Sequence, residues 1–167
     1  MSRSFDVSFQ SPTSVEQIHS AFSEEDYWMA RIAAFGGSKT LDSLVVEPDG
    51  TLTVSITEDL RRGGLPTMLG KLYRGDLKVR SMEKWSPASD GRVTGEISVA
   101  VAGAPGSGRG AAVLTPSLDG SQLTLSATVE FKVPVVGGPI ESHVAREFAE
   151  GISEIQRFTT RWVDENV

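Results

Sequence analysis

The chain has 167 residues, 39% hydrophobic and 23% charged, with a net charge of −6 and no cysteine. This is a globular composition, neither disordered nor membrane-spanning, and no apolar run approaches the ~20 residues a spanning helix needs. The missing cysteines exclude disulfides, thiolate metal sites and cysteine nucleophiles, and the acidic balance argues against general nucleic-acid binding, which needs a basic footprint.

The length suits one domain over residues 1–167. Met1 to Gln10 lacks the basic region and apolar core of a signal peptide, so a soluble, cytoplasmic protein is expected. Phe5, Val7 and Phe9 alternate with polar residues and predict a half-buried strand that ends at Pro12. Thr13 and Glu16 have capping-box spacing ahead of Val15, Ile18, Ala21 and Phe22, a first short helix. Ser23 and Asp26 open a second, which runs through Tyr27, Trp28, Ile32 and Phe35 and stops at Gly36-Gly37.

From Leu41 to Phe131 the period changes to two. Leu41 to Glu47 is a strand, and Pro48-Asp49-Gly50 has turn chemistry. Leu52, Val54 and Ile56 then alternate with Thr51, Thr53, Ser55 and Thr57, giving one apolar and one hydroxylated face. A longer connection at 61–74 precedes a strand from Asp76 to Trp85, which carries Leu77 and Val79. Val93, Ile97, Val99 and Val101 share one face of the next strand. Gly103 to Gly110 reads as a flexible link, followed by strands at Ala111–Thr115 and Leu123–Phe131, the latter with Leu125 on its apolar face. After Val133 to Gly138 breaks the pattern, Pro139 suits a first helical position. Ile140, Val144, Phe148, Ile152, Ile155, Phe158, Thr159 and Trp162 then recur every three or four residues, with Glu141, Glu147, Glu150 and Glu154 mostly on the other side. Such a helix is ~35 Å long, enough to cross a small sheet.

The expected class is α+β: a strand, two short helices, six antiparallel strands, and a long C-terminal helix packed in the concave face of the sheet. A curled antiparallel sheet crossed by one helix ~10 Å wide leaves a gap for large side chains, water or a ligand. This order, with the Phe22 to Trp28 stretch, Glu130-Phe131, and Val133-Pro134-Val135-Val136-Gly137-Gly138-Pro139-Ile140-Glu141, resembles a bacterial branch of the helix-grip superfamily of START, polyketide cyclase-like and birch-pollen-allergen-like proteins. The resemblance implies a hydrophobic ligand and carries over no catalytic residue.

The candidate lining of such a pocket is Trp28, Ile32, Leu52, Val54, Ile56, Glu58, Leu65, Met68, Leu77, Val79, Trp85, Ile97, Val99, Leu123, Leu125, Val144, Phe148, Ile152 and Ile155. The tryptophans read equally well as plain core, and Met68 and Met82 as adaptable apolar contacts. Glu58 continues the inward face of its strand, near Arg80 and Glu83, unless it lies at the strand end and reaches water. Residues 61–80 set six cations against one acid, Asp76. Arg61, Arg62, Lys71 and Arg74 are either a solvated edge or a basic rim meeting an anionic head group at a membrane surface. The 61–74 connection, with its glycines and apolar Leu65, Met68 and Leu69, is the candidate lid.

His143 and Glu147 are a solvated pair rather than a metal site, and neither a nucleophile elbow nor a nucleotide loop is present. No cofactor and no metal are expected. The reading is a binding or transport domain for a hydrophobic small molecule, acting as monomer or homodimer. The alternatives are a cyclase- or hydrolase-like enzyme using a pocket carboxylate such as Glu58 with Arg80 or Tyr73, or a regulatory interaction domain using the basic rim.

Overall fold

The computed structural model describes residues 2–35, 38–63, 71, 73–133 and 137–166. The elements are β1 (Ser2–Ser11), α1 (Val15–Phe22), α2 (Glu25–Ala34), β2 (Ser38–Val46), β3 (Leu52–Asp59), a single turn α3 (Leu60–Gly63), β4 (Lys78–Pro87), β5 (Val93–Ala102), β6 (Gly106–Ser117), β7 (Gly120–Phe131) and α4 (Gly137–Asn166). The strands form one antiparallel sheet in the order β1-β7-β6-β5-β4-β3-β2. α4 packs against β1, β7 and both short helices. The expected α+β helix-grip order is what forms.

Three local expectations are corrected. The cap of α1 is Ser14 with Gln17, not Thr13 with Glu16. Thr13 is drawn into a buried corner, where its N–H donates to Ser11 Oγ and its carbonyl accepts from Ser121 Oγ at 2.7 Å. Ser23 does not cap α2; it closes α1, donating to the His19 carbonyl, and α2 starts from Glu24 without a side-chain cap. The glycines at 106–110 are not a link but the first half of β6, paired with β7 from Gly106 opposite Phe131. A strand of alternate glycines lacks the β-branched signature of a sheet, so composition alone hides it. Gly36 and Gly37 lie outside the described residues.

Directly paired residues share a face, so the register turns the inner surface of the sheet into rows. Leu123, Leu114 and Val93 form the row beside α1; Leu125, Ala112, Gly95, Trp85 and Leu52 form the next. Then come Ala127, Gly110, Ile97, Glu83 and Val54, followed by Val129, Gly108, Val99, Ser81 and Ile56. Phe131, Gly106, Val101, Val79 and Glu58 are farthest from α1.

The first two rows are solid. Phe22, Tyr27, Trp28 and Trp85 are buried with Leu52, Leu114, Leu123 and Leu125, and Trp162 closes over them. Phe22 stands 5.0 Å from Trp85 and 5.6 Å from Trp28, centroid to centroid, in the tilted geometry aromatic pairs prefer. Each buried indole nitrogen has an acceptor: Trp28 donates to the Phe22 carbonyl at 2.7 Å and Trp85 to Glu83 at 3.1 Å.

α4 is tied into this core by Tyr27. Thr159 gives its hydroxyl proton to the Ile155 carbonyl, so at 2.7 Å the Tyr27 hydroxyl must be the donor to Thr159. Burial, partly opposed by Arg31, pushes the Tyr27 phenol above its ordinary 10.0. A raised acid contributes stability below its unfolded pKa that is lost as pH climbs through the folded one. Tyr27→Phe is therefore expected to cost about 1 kcal/mol near neutrality. In urea titrations its deficit against the parent should shrink as the pH is raised past 10.0; a deficit that widens there would contradict the buried phenol.

Candidate functional site

Burial along the inner face is graded. Leu52, Val54, Trp28, Trp85, Leu123 and Leu125 are 0–4% exposed, packed so tightly that a water-sized sphere scarcely reaches them. These candidate lining residues are core and offer a ligand almost no surface. Farther along the sheet, Ile56, Glu58, Val79, Ser81, Ile97, Val99, Val101, Gly108, Gly110 and Ala127 are all half-buried. Apolar burial resumes at the far end, where Phe131 and Ile140 form a separate cluster with Tyr73, Val101 and Val144. Leu77 is also buried there, near Gly103. Two apolar clusters on one face leave a stretch of accessible apolar floor between them.

α4 shows the same interruption. Its buried residues are Gly137, Ile140, Glu141 and Ala145 at one end and Gln156, Thr159, Trp162 and Val163 at the other. None from 146 to 155 is buried, a span of ~15 Å. Yet Phe148, Ile152 and Ile155 lie in that span on the helical stripe that begins at Val144 and continues to Thr159 and Trp162. Ile152 is half-buried and packs against the main core, Ile155 is half-buried, and Phe148 is 39% exposed.

The floor is made of small residues. A side chain added at Gly95 would run into the Trp85 ring, and one at Gly106 into the Phe131 ring, so each of these glycines lies beneath an aromatic ring. At Gly108 the three nearest atoms to such a side chain are Val129 Cγ1 at 3.5 Å, the Thr128 carbonyl at 3.6 Å and Val99 Cβ at 3.9 Å. All three belong to the sheet, and none to α4.

The polar feature of this wall is a pair that sequence reasoning did not assemble. Glu83 faces inward between Val54 and Ile97, 9% exposed, and Arg31 Nη2 donates to its Oε2 at 3.1 Å. The other carboxylate oxygen accepts from Trp85. The Arg31 guanidinium lies 4.8 Å from the Trp28 ring centroid, within cation–π reach. Burial alone would lower its pKa, but Glu83 and Tyr27 outweigh that and hold it above its ordinary value. Arg31 follows Tyr27 by four residues and Trp28 by three, so a cation on the apolar stripe of α2 was the available signal. Arg80, expected near Glu58, instead sits on the outer face opposite Thr57 and is exposed.

The other expected residues fall as follows. Glu58 is opposite Val79 and Lys39 at the end of β3. Ile32 is half-buried on α2. Met82 is 47% exposed on the outer face, not toward the pocket side. Glu141, expected on the solvent side of its helix, is 1% exposed and accepts the Phe131 N–H at 2.9 Å. Arg61 donates to the carbonyls of Tyr73 and Gly75, lacing together the two ends of the 61–74 connection. Lys71 and Arg74 are exposed. Leu65, Met68, Leu69 and the side chain of Arg62 lie outside the described residues. His143 and Glu147 are a surface pair at 3.4 Å, and His19 laces α1 to the β2–β3 turn through the Gly50 carbonyl at 2.7 Å. Among the described residues no group of three metal-ligating side chains occurs, and no helix is long and apolar enough to cross a membrane. An open groove of about 590 Å³ is lined by Phe9 and Pro12, by Phe35, and by Arg157, Thr160 and Arg161 of α4.

Residues 6–163 match the family described as "Protein of unknown function (DUF2505)". The chain belongs to that family. Uncharacterized proteins of Mycobacterium tuberculosis (strain H37Rv) and Mycobacterium bovis are each 38% identical to this DUF2505 chain over the whole of both sequences. Among solved structures, it is similar to Ara h 8.0201 (TM-score 0.59, 14% identity, 99% of both chains). It is also similar to the di-domain ARO/CYC StfQ from the steffimycin biosynthetic pathway (TM-score 0.62, 14% identity), covering 99% of this chain and 52% of that one. TTHA0849 from Thermus thermophilus has a TM-score of 0.57 at 14% identity over 99% of both chains. At such identities these likenesses establish the helix-grip fold of the DUF2505 chain, the fold its sequence resembles.

Because Glu83 already accepts two N–H groups, removing either member of the pair strands the other in an apolar wall. Arg31→Met or Glu83→Leu alone is expected to cost about 3 kcal/mol, and the double variant to regain much of that. Chemical unfolding of the three variants checks this; additive losses would show that the two side chains are not coupled.

Proposed function

We propose that residues 1–167 act as one helix-grip domain that binds a hydrophobic small molecule between the inner face of the sheet and α4. The observation that carries this reading is the coincidence of two gaps: the unburied middle of α4 and the half-buried apolar floor formed by Ile97, Val99, Val79 and the glycines of β6. An apolar side chain left half-open inside a fold forgoes burial worth ~25 cal/mol per Å². A concave apolar surface of this kind is what small-molecule sites are made of. The fold shared with Ara h 8.0201 and with an ARO/CYC protein supports the same reading.

An enzymatic reading gains less. The Glu83 carboxylate is occupied by Arg31 and Trp85. A carboxylate held as a double acceptor is a poor general base, since taking up a proton would break the ion pair.

The test fills the floor. Gly108→Phe places a ring where the nearest atoms, two sheet side chains and the Thr128 carbonyl, lie at ordinary van der Waals distance, and replaces a poor strand former with a good one. N-phenyl-1-naphthylamine is expected to bind the parent with enhanced fluorescence and the variant about tenfold or more weakly, while the unfolding midpoint holds. Equal binding by a folded Gly108→Phe protein would remove this surface from consideration.

A further inference from the structure

We propose that the bound molecule carries an uncharged hydrogen-bonding group, a hydroxyl or a carbonyl, and that Arg31 and Glu83 hold it at the closed end of the hollow. This rests on the ligand-binding reading above and adds the chemistry of the ligand's polar end. Glu83 lies in the row where the solid core gives way to the half-buried floor, beside Ile97 and one row from Val99 and Ser81. Arg31 and Glu83 are not sealed, their side chains keeping 16% and 11% of their surface. The other polar groups of that corner are committed to one another: Tyr27 donates to Thr159, and Trp85 donates to Glu83. What the pair still offers is the part of the guanidinium fork left by Glu83 and by the Tyr27 hydroxyl, which also interacts with Arg31, beside a carboxylate, which only accepts.

Charge balance sets the class. Arg31 and Glu83 sum to zero. Lys39 and Glu58, opposite each other two rows farther along, do the same. Among the described residues, a carboxylate or phosphate brought to Arg31 would sit beside the Glu83 carboxylate with no second unbalanced cation nearby, in surroundings that screen poorly. A hydroxyl can give its proton to Glu83 and accept from Arg31; a carbonyl can accept from Arg31 alone. Neither brings a charge into the wall. A purely apolar end would leave the accessible donors of Arg31 without a partner once water is expelled.

Three probes of one size separate these cases: naphthalene, 1-naphthol and 1-naphthoate, each displacing N-phenyl-1-naphthylamine at neutral pH. The parent protein is expected to bind 1-naphthol about tenfold more tightly than either of the others. Glu83→Gln keeps the shape of the side chain and an oxygen for the Trp85 N–H but leaves Arg31 as a net cation, so it is expected to shift the preference toward 1-naphthoate. Thermal unfolding confirms that the variant is folded. The parent series decides the matter even if it is not. Parent protein binding naphthalene as well as 1-naphthol, or preferring 1-naphthoate, would overturn the assignment of the polar end while leaving the hollow intact. So would an unchanged preference in folded Glu83→Gln. If none of the probes binds, the hollow itself is not a ligand site and the proposal falls with it.

Discussion

Polar ties hold α4 at both ends, one near its N-terminus and two near its C-terminus. At the N-terminal end the Glu141 carboxylate takes the backbone N–H of Phe131 at 2.9 Å. At the C-terminal end Tyr27 binds Thr159 at 2.7 Å, and the Ser11 hydroxyl meets Thr160 at 3.0 Å. Breaking any of these would leave a donor or acceptor in a place water reaches poorly, a cost that makes such contacts positional as well as stabilising. A helix of 30 residues is ~45 Å long, and the sheet beneath it twists and coils. Between the two ends no residue from 146 to 155 is fully buried, although Ile152 still packs against the core.

The inner face of the sheet is built of small residues along β6. On β6 the inner face reads Gly106, Gly108, Gly110, Ala112, Leu114, from no side chain to a full one. Gly106 is covered by Phe131, and the Trp85 ring lies over Gly95 on the neighbouring strand. Between the two rings Gly110 is crowded by Leu125 and Ala127, with a side chain there 3.1 Å from Leu125, while Gly108 has room at ordinary contact distance. Glycine in a strand costs conformational entropy and removes packing, so a run of three on one face weakens the sheet there. The run is intelligible if depth at that point has a use, and the half-buried Val99 and Ile97 beside it line the same depression.

Where one force dominated, the fold was legible in the sequence. Alternation in β3 and β5, and the three-and-four stripe of α4, are direct records of which face meets the interior, and they gave the element order. Glycine misled at β6, because its meaning depends on which ring lies over it, and Phe131 is 25 residues beyond Gly106. The site was legible only in part. Inward direction could be read from period two, so Ile56, Val79, Ile97 and Val99 were separable from the outer face. Depth could not: Leu52 and Ile56 share a strand face, yet one is sealed by Phe22, Tyr27 and Trp28 brought from α1 and α2, and the other is half-open. Glu83 takes its cation, Arg31, from another element, while Arg80, expected near Glu58, is sent by alternation to the opposite face.

An ion pair in this wall is a poor device for stability. Two charges removed from water recover in mutual attraction about what desolvation costs them, and apolar residues of similar size would do as well or better. Phe22 and Trp85 already form a dense core on one side of the pair, so the fold has no need of it for cohesion. What the pair does supply is orientation without net charge. Trp85 fixes one carboxylate oxygen, Trp28 supports the guanidinium face, and Tyr27 lies close enough to act on the same group. Donors and acceptors immobilised in this way meet a partner without a further loss of side-chain freedom. The pair therefore presents a neutral but strongly dipolar patch, with the attraction of its cation already engaged by its own carboxylate.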